Sequence, residues 1–205
     1  MAAAHNIVFD MGNVLMTFDG MYFSRVFTDN EEDAQTLFDA LFGRPEWVLL
    51  DAGAIDHDTM LRVAEARTPE RLLPNLRECF VRWPEHSQVI EGTNELGSRL
   101  KAAGWGVYVC SNANTRIHEQ LDQAPVASFA DGIVVSAEER LMKPDPAIFT
   151  LLCDRYELDP ATCVFVDDNL DNCEGARIAG MHPFHFAGDV SALEDFIADE
   201  TGTRA

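Results

Sequence analysis

Four short stretches of the sequence hold side chains able to do chemistry. The apolar run Ile7-Val8-Phe9 ends on a carboxylate, Asp10, and a glycine, Gly12, stands two residues on. "VCSNANTRIH" follows a second apolar run with a hydroxyl and an amide, Ser111 and Asn112. "LMKPDP" places Lys143 in a loop, and "FVDDNLDN" ends a further apolar run on Asp167 and Asp168. Three carboxylates meeting at one place would repel, and a single lysine cannot neutralise them. A raised pKa or a bound cation is the way out. An all-oxygen set of hard ligands suits Mg2+, which takes one or two carboxylates, several waters and a substrate phosphate. The Ser111 hydroxyl, the N–H groups at the following helix start and Lys143 are natural partners for that phosphate. Asp10 then has a use as a nucleophile, forming an aspartyl-phosphate that water cleaves.

Those residues meet only if the elements carrying them end side by side. Five short runs rich in Val, Ile, Phe or Tyr read as strands: Asn6–Asp10, Gly106–Ser111, Gly132–Val135, Cys163–Asp167 and Pro183–Phe186. Helical stripes lie between the later ones. Leu96, Leu100 and Ala103 share a face that stops before Gly104. Ile148, Leu151, Leu152 and Tyr156 form another after Pro144-Asp145-Pro146, and Cys173, Ala176 and Ala179 a third, ending before Gly180. Strand alternating with helix predicts an α/β fold, a doubly wound parallel sheet covered on both faces. Ligands of such sheets bind at the carboxyl ends of the strands, where all four stretches fall.

From about Phe18 to Pro84 the alternation stops. Ala34, Leu37, Phe38, Leu41 and Phe42 keep a helical period, the acidic run Asn30–Asp33 opens that helix, and further helices are expected over Pro45–Asp51, His57–Arg67 and Pro69–Trp83. The "DAGAID" stretch between the middle two has turn chemistry. The expected division is therefore an α/β core of residues 1–17 and 85–205 with a helical cap, residues 18–84, inserted after the first strand. Within the cap, Trp47 and Asp51 are candidates for facing the site as substrate-binding residues, an aromatic face beside a carboxylate.

The formal charge of −20 argues against a nucleic-acid partner and against anionic membrane surfaces. No stretch approaches the ~20 apolar residues of a membrane span. The first apolar run is too short for a signal peptide and ends in Asp10. Five cysteines, an odd number with no CxxC pair, suggest reduced thiols and a cytoplasmic location. The oligomeric state is left open. His182 and His185 read as late-strand residues, His118 as a surface helix residue, and Arg116 as a member of an exposed ion pair.

Taken in order, Asp10, Ser111, Lys143 before a proline, and Asp167-Asp168 resemble the four motifs of the haloacid dehalogenase-like superfamily. The resemblance covers nearly the whole chain, inserted cap included. The wording "FDMGNV", "SNANTRIH", "KPDPAIF" and "FVDDNLDNCEGARIAGM" is most similar to bacterial sugar-phosphate phosphatases of the glucose-1-phosphate type, and to the phosphatase domain of epoxide hydrolases. The resemblance implies a Mg2+-dependent phosphatase acting on a small-molecule phosphate ester. Asp10 would be the nucleophile, and Asp10, the Gly12 carbonyl and Asp168 the metal ligands. Ser111 and Asn112 would bind the phosphoryl group and Lys143 would steady it. Counting back from Gly180 aligns Asn172 with a later acidic position of the family. That selects Asp168 as the ligand and leaves Asp167 to pair with Lys143. Most phosphatases of the superfamily carry a second Asp where this chain has Gly12, and such general acid–base help is worth about 10²–10⁴-fold. Haloacid dehalogenases also lack it, so halide displacement is an alternative, and a catalytically silent binding protein is a third. The paired acids at 167 and 168 favour a cation and a phosphate.

Overall fold

The computed structural model describes residues 4–201. Its five strands are β1 (Asn6–Phe9), β2 (Gly106–Ser111), β3 (Gly132–Val135), β4 (Cys163–Asp167) and β5 (His182–His185). They form one parallel sheet in the order β3-β2-β1-β4-β5. β1 is central, with Ile7, Val8 and Phe9 all fully buried. Alternation along the strands divides the core in two. Ile7, Phe9, Val107, Val109, Val164 and Val166 pack on one face with Leu96, Leu193 and Ile197. Val8, Tyr108, Cys110 and Phe165 pack on the other with Ile148, Phe149 and Leu152. The predicted doubly wound α/β sheet is the fold observed.

Register then places the chemistry. Phe9 lies beside Val109 on one side and Val166 on the other, so Asp10 leaves the sheet level with Cys110 and Asp167. β1 stops one residue earlier than expected, although the Asp10 N–H still donates to the Val166 carbonyl at 2.8 Å. β5 is displaced by one residue. Phe186 is outside it but donates its N–H to the Asp167 carbonyl while its side chain enters the core.

Five helices fill the segment between β1 and β2: α1 (Gly20–Val26), α2 (Glu31–Ala40), α3 (Pro45–Asp51), α4 (His57–Arg67) and α5 (Leu73–Arg82). Asp19, Asn30 and Asp56 cap the first, second and fourth by accepting N–H groups of their first turns. The helix expected over Pro69–Trp83 is divided. A 3₁₀ turn covers Glu70–Leu72, α5 starts at Leu73, and a second 3₁₀ turn starts at Trp83 ahead of Pro84. The insert has its own apolar cluster, with Phe23, Leu37, Leu41, Trp47, Leu76, Phe80 and Trp83 buried in it. Around the sheet lie α6 (Glu91–Ala102), α7 (Ile117–Leu121), α8 (Ser136–Glu139), α9 (Pro146–Tyr156), α10 (Leu170–Ile178) and α11 (Val190–Thr201). No helix among the described residues is long and apolar enough to cross a membrane.

Candidate active site

Lys143 is the centre of the charged floor. Its ammonium has no exposure, and it lies 2.8 Å from Asp10 Oδ1 and 2.6 Å from Asp167 Oδ2. Burial alone would pull its pKa down, but the carboxylates of Asp10 and Asp167 outweigh burial and hold it above the usual lysine range. Asp10 is pushed up to about 6, chiefly by burial. Lys143 pulls it back and Asp167 adds repulsion. Asp167 is fully buried at the end of β4. Asn172 Nδ2 donates to both its oxygens at 3.1 Å, and the Asn169 N–H donates to Oδ1 at 2.8 Å. Asp168 is exposed, and its Oδ2 accepts from Asn13 Nδ2 at 3.0 Å. Carboxylate oxygens of Asp10, Asp167 and Asp168 all lie within 4.8 Å of one another.

The loop after β2 holds the floor from the other side. Ser111 is buried at the strand end. The Asn112 amide grips the main chain of Lys143, donating to its carbonyl at 2.7 Å and accepting its N–H at 2.8 Å. Both ends of that side-chain amide therefore have a main-chain partner, while Asn112 also lines the cavity. The N–H groups expected to meet a phosphate are also engaged. Ala113 donates to Ser136 Oγ at 2.9 Å and Asn114 to Asp51 Oδ1 at 2.8 Å. The helix they were expected to open, α7, begins only at Ile117.

Above the floor lies a cavity of about 230 Å³. Asp10, Gly12, Ser111, Asn112 and Asp168 line its base, Phe18, Trp47 and Trp83 one wall, and Asp51, Asn114 and Gln120 another. Trp47 packs on Phe42, with ring centres 4.5 Å apart, and on Trp83 at 5.7 Å. Asp51 is pushed up to about 7 by burial, despite the hydrogen bonds from Asn114 that pull it down. So the fold brings Asp10, Gly12, Trp47, Asp51, Ser111, Asn112 and Asp168 to one cavity. Lys143, Asp167 and Asn172 lie behind its floor.

Asn114, Ser136 and Gln120 were not foreseen. Asn13 holds Asp168 from a left-handed backbone conformation, φ +54°, and its Oδ1 accepts the Phe18 N–H. A non-glycine residue there is most often Asn or Asp, so the Gly-Asn pair was a usable signal. His185 Nε2 lies 3.0 Å from the Asp168 carbonyl oxygen. His118 is exposed and paired with Glu138; Arg116 pairs with Glu119 but is half-buried rather than exposed, its guanidinium 5.6 Å from the centre of the Phe80 ring.

Charge counting tests whether a divalent cation suits this floor. Three carboxylates against one ammonium leave an excess of two negative charges, and a 2+ ion removes it. Asp167 has both oxygens occupied by protein donors, while Asp10 and Asp168 keep oxygens free for a ligand role. The donor set fits Mg2+.

The sequence model of the haloacid dehalogenase-like hydrolases matches residues 5–180. The chain belongs to that family. Among haloacid dehalogenase-like relatives, N-acetylmuramic acid 6-phosphate phosphatase of Pseudomonas putida is 33% identical over 107 residues, 51% of this chain and 45% of the relative. (S)-2-haloacid dehalogenase 4A of Burkholderia cepacia is 32% identical over 117 residues, 55% of this chain and 46% of the relative. The match thus spans about half the length of these curated relatives. A HAD family enzyme of Bacteroides thetaiotaomicron, solved as a complex with magnesium and inorganic phosphate, superimposes with a TM-score of 0.72 at 18% identity. That alignment covers 93% of this chain and 98% of the other, and it shows a shared fold. The resemblance read from the four motifs is therefore correct at family level, and the likeness to sugar-phosphate phosphatases is supported.

Proposed function

We propose that this chain hydrolyses a small phosphate monoester, a sugar phosphate by preference, through an aspartyl-phosphate on Asp10. The observation that supports this most is the buried Lys143 between Asp10 and Asp167, with Asp168 alongside in the lining of the cavity. Lys143 occupies Asp10 Oδ1, which leaves Oδ2 for attack on phosphorus. Ser111 at the strand end donates to a phosphoryl oxygen. Mg2+, held by Asp10, the Gly12 carbonyl and Asp168, would supply the charge neutralisation a phosphate dianion needs. Asn112 and Asn172 keep Lys143 and Asp167 in place, so little reorganisation is needed as charge moves. Residues 18–84 act as the cap over a core of 1–17 and 85–205. Phe18, Trp47 and Trp83 present apolar ring surface to the leaving group and exclude water. All five cysteines are buried and unpaired, which suits a reducing cytoplasm.

Halide displacement from a 2-halo acid is the second reading, favoured by the dehalogenase relative and by a glycine at position 12. The floor speaks against it, because its excess negative charge repels an anionic acid. The deciding assay is phosphate release from sugar, nucleotide and glycolytic phosphates with Mg2+ and with EDTA. The expected result is Mg2+-dependent release that Asp10→Asn abolishes. Turnover of a 2-halo acid in EDTA would overturn the phosphatase reading.

A further inference from the structure

The proposed reaction must place a proton on the departing ester oxygen and later remove one from water. Of the side chains lining the cavity, three carry a carboxyl group that could exchange a proton: Asp10, Asp168 and Asp51. Asp10 is occupied as the nucleophile and Asp168 as a ligand. Gly12 has no side chain to offer. We propose that Asp51, carried by the helical insert, is the general acid and base of the reaction. This rests on the phosphatase reading.

Asp51 is the last residue of α3 and is fixed to the core, not left loose on the insert. Its Oδ1 accepts the Asn114 N–H at 2.8 Å and Asn114 Nδ2 at 2.9 Å. Its carbonyl accepts Ser136 Oγ at 2.5 Å. The glycine two residues on, Gly53, has φ +64°, and a Cβ there would fall 2.3 Å from the Ala137 carbonyl oxygen. The chain therefore turns against α8 in a way that only glycine permits. One carboxyl oxygen is thus anchored. The other, Oδ2, has no protein partner among the described residues, and Asp51 is a wall of the same small cavity as Asp10. The elements around it carry Glu46 on α3, His57 on α4, Arg116 in the β2 loop, His118 on α7, and Glu138 and Glu139 on α8, with Asp10 and Asp168 across the cavity. None of these forms an ion pair with Asp51. Burial therefore sets its proton affinity, and a pKa of about 7 suits a group that must give and take a proton near neutrality.

The step balances. As Asp10 Oδ2 bonds to phosphorus, the phosphorus–ester oxygen bond breaks and that oxygen takes the Asp51 proton, releasing the alcohol. In the second half, water attacks phosphorus, Asp51 takes the water proton, and the Asp10–phosphorus bond breaks. This returns the Asp10 carboxylate and inorganic phosphate.

Two esters with Mg2+ test the assignment, an alkyl phosphate with a poor leaving group and 4-nitrophenyl phosphate with a good one. Asp51→Asn keeps an acceptor for Asn114. It should lower kcat/KM for the alkyl ester by about 10²–10⁴-fold and by at least tenfold less for the aryl ester. An equal loss on both esters, or none, overturns the role of Asp51 and leaves the phosphatase reading standing. No phosphate from either ester with the wild-type chain overturns the reading and this inference together. Asn114→Ala retains Asp51 and gives an independent measurement. The wild-type alkyl rate should fall above about pH 7, because the acid must begin protonated. Losing the Asn114 side-chain hydrogen bond should move that fall to higher pH. A fall that does not move overturns the assignment.

Discussion

Lys143 is an ammonium sealed from water, and its two carboxylate partners are what make that tolerable. In the sequence a lysine before a proline reads as an exposed loop residue, and only its order among the other motifs marks it out. Removing it as Lys143→Met leaves Asp10 and Asp167 facing each other unneutralised, and breaking a buried pair this way costs about 3–5 kcal/mol. The sign with pH follows from Asp10, raised from 3.8 to about 6 by burial and pulled down by the very lysine being removed. Between those values the folded state binds more protons than the unfolded, so the fold gains as pH falls. Thermal unfolding in EDTA should show a large deficit for Lys143→Met at pH 8 that shrinks at pH 5. A deficit constant with pH would mean the carboxylates are not its cause. Asp10, Lys143 and the 167–168 pair were legible because each follows an apolar run or sits in a motif. Asn114 and Ser136 were not. Their partner, Asp51, is 63 and 85 residues away, and no local spacing encodes such a contact.

At the scale of elements, β2, β3 and β4 appear with the predicted ends because continuous Val, Ile and Phe runs have no other stable place than a two-faced sheet. Their order in the sheet is not encoded in these runs: β1, at the centre, is shorter than its neighbours β2 and β4. α7 and α8 are five and four residues long, too short to show a period. α11 does show one, in Val190, Leu193 and Ile197. α10 shows how element packing reaches the site. A Cβ on Gly175 would lie 2.1 Å from the Pro144 carbonyl oxygen and 2.8 Å from its carbon, both main-chain atoms that cannot swing aside. α10 carries Asn172 and the opposing loop carries Lys143, so the contact sets the distance between two parts of the floor. Gly175→Ala should therefore cost about 1–3 kcal/mol. The melting temperature should fall with it, by about 2–4 °C per kcal/mol for a domain of this size. Phosphate release should fall as well. A variant that melts lower with an unchanged rate would show that the floor does not depend on this packing.

The whole molecule sets the field through which a substrate arrives. Two apolar clusters cover the faces of the sheet and a third fills the insert, and the acids are spread over what remains. The formal charge is −20, and the one lysine at the floor is already matched by Asp10 and Asp167. On the proposed reading, a phosphate dianion would approach against a repulsive field that only a cation held at the floor could offset. Salt weakens long-range repulsion. The Debye length falls from about 30 Å at 0.01 M to about 8 Å at 0.15 M ionic strength, whereas contacts inside the cavity are screened far less. At saturating Mg2+, kcat/KM for a dianionic ester should rise a few-fold as NaCl is added over that range, while kcat stays nearly constant, because only the approach is affected. A kcat/KM that falls with salt would reveal a local positive field at the cavity mouth strong enough to outweigh the acidic surface. The floor charges derived from Lys143, Asp10, Asp167 and Asp168 would then need revision.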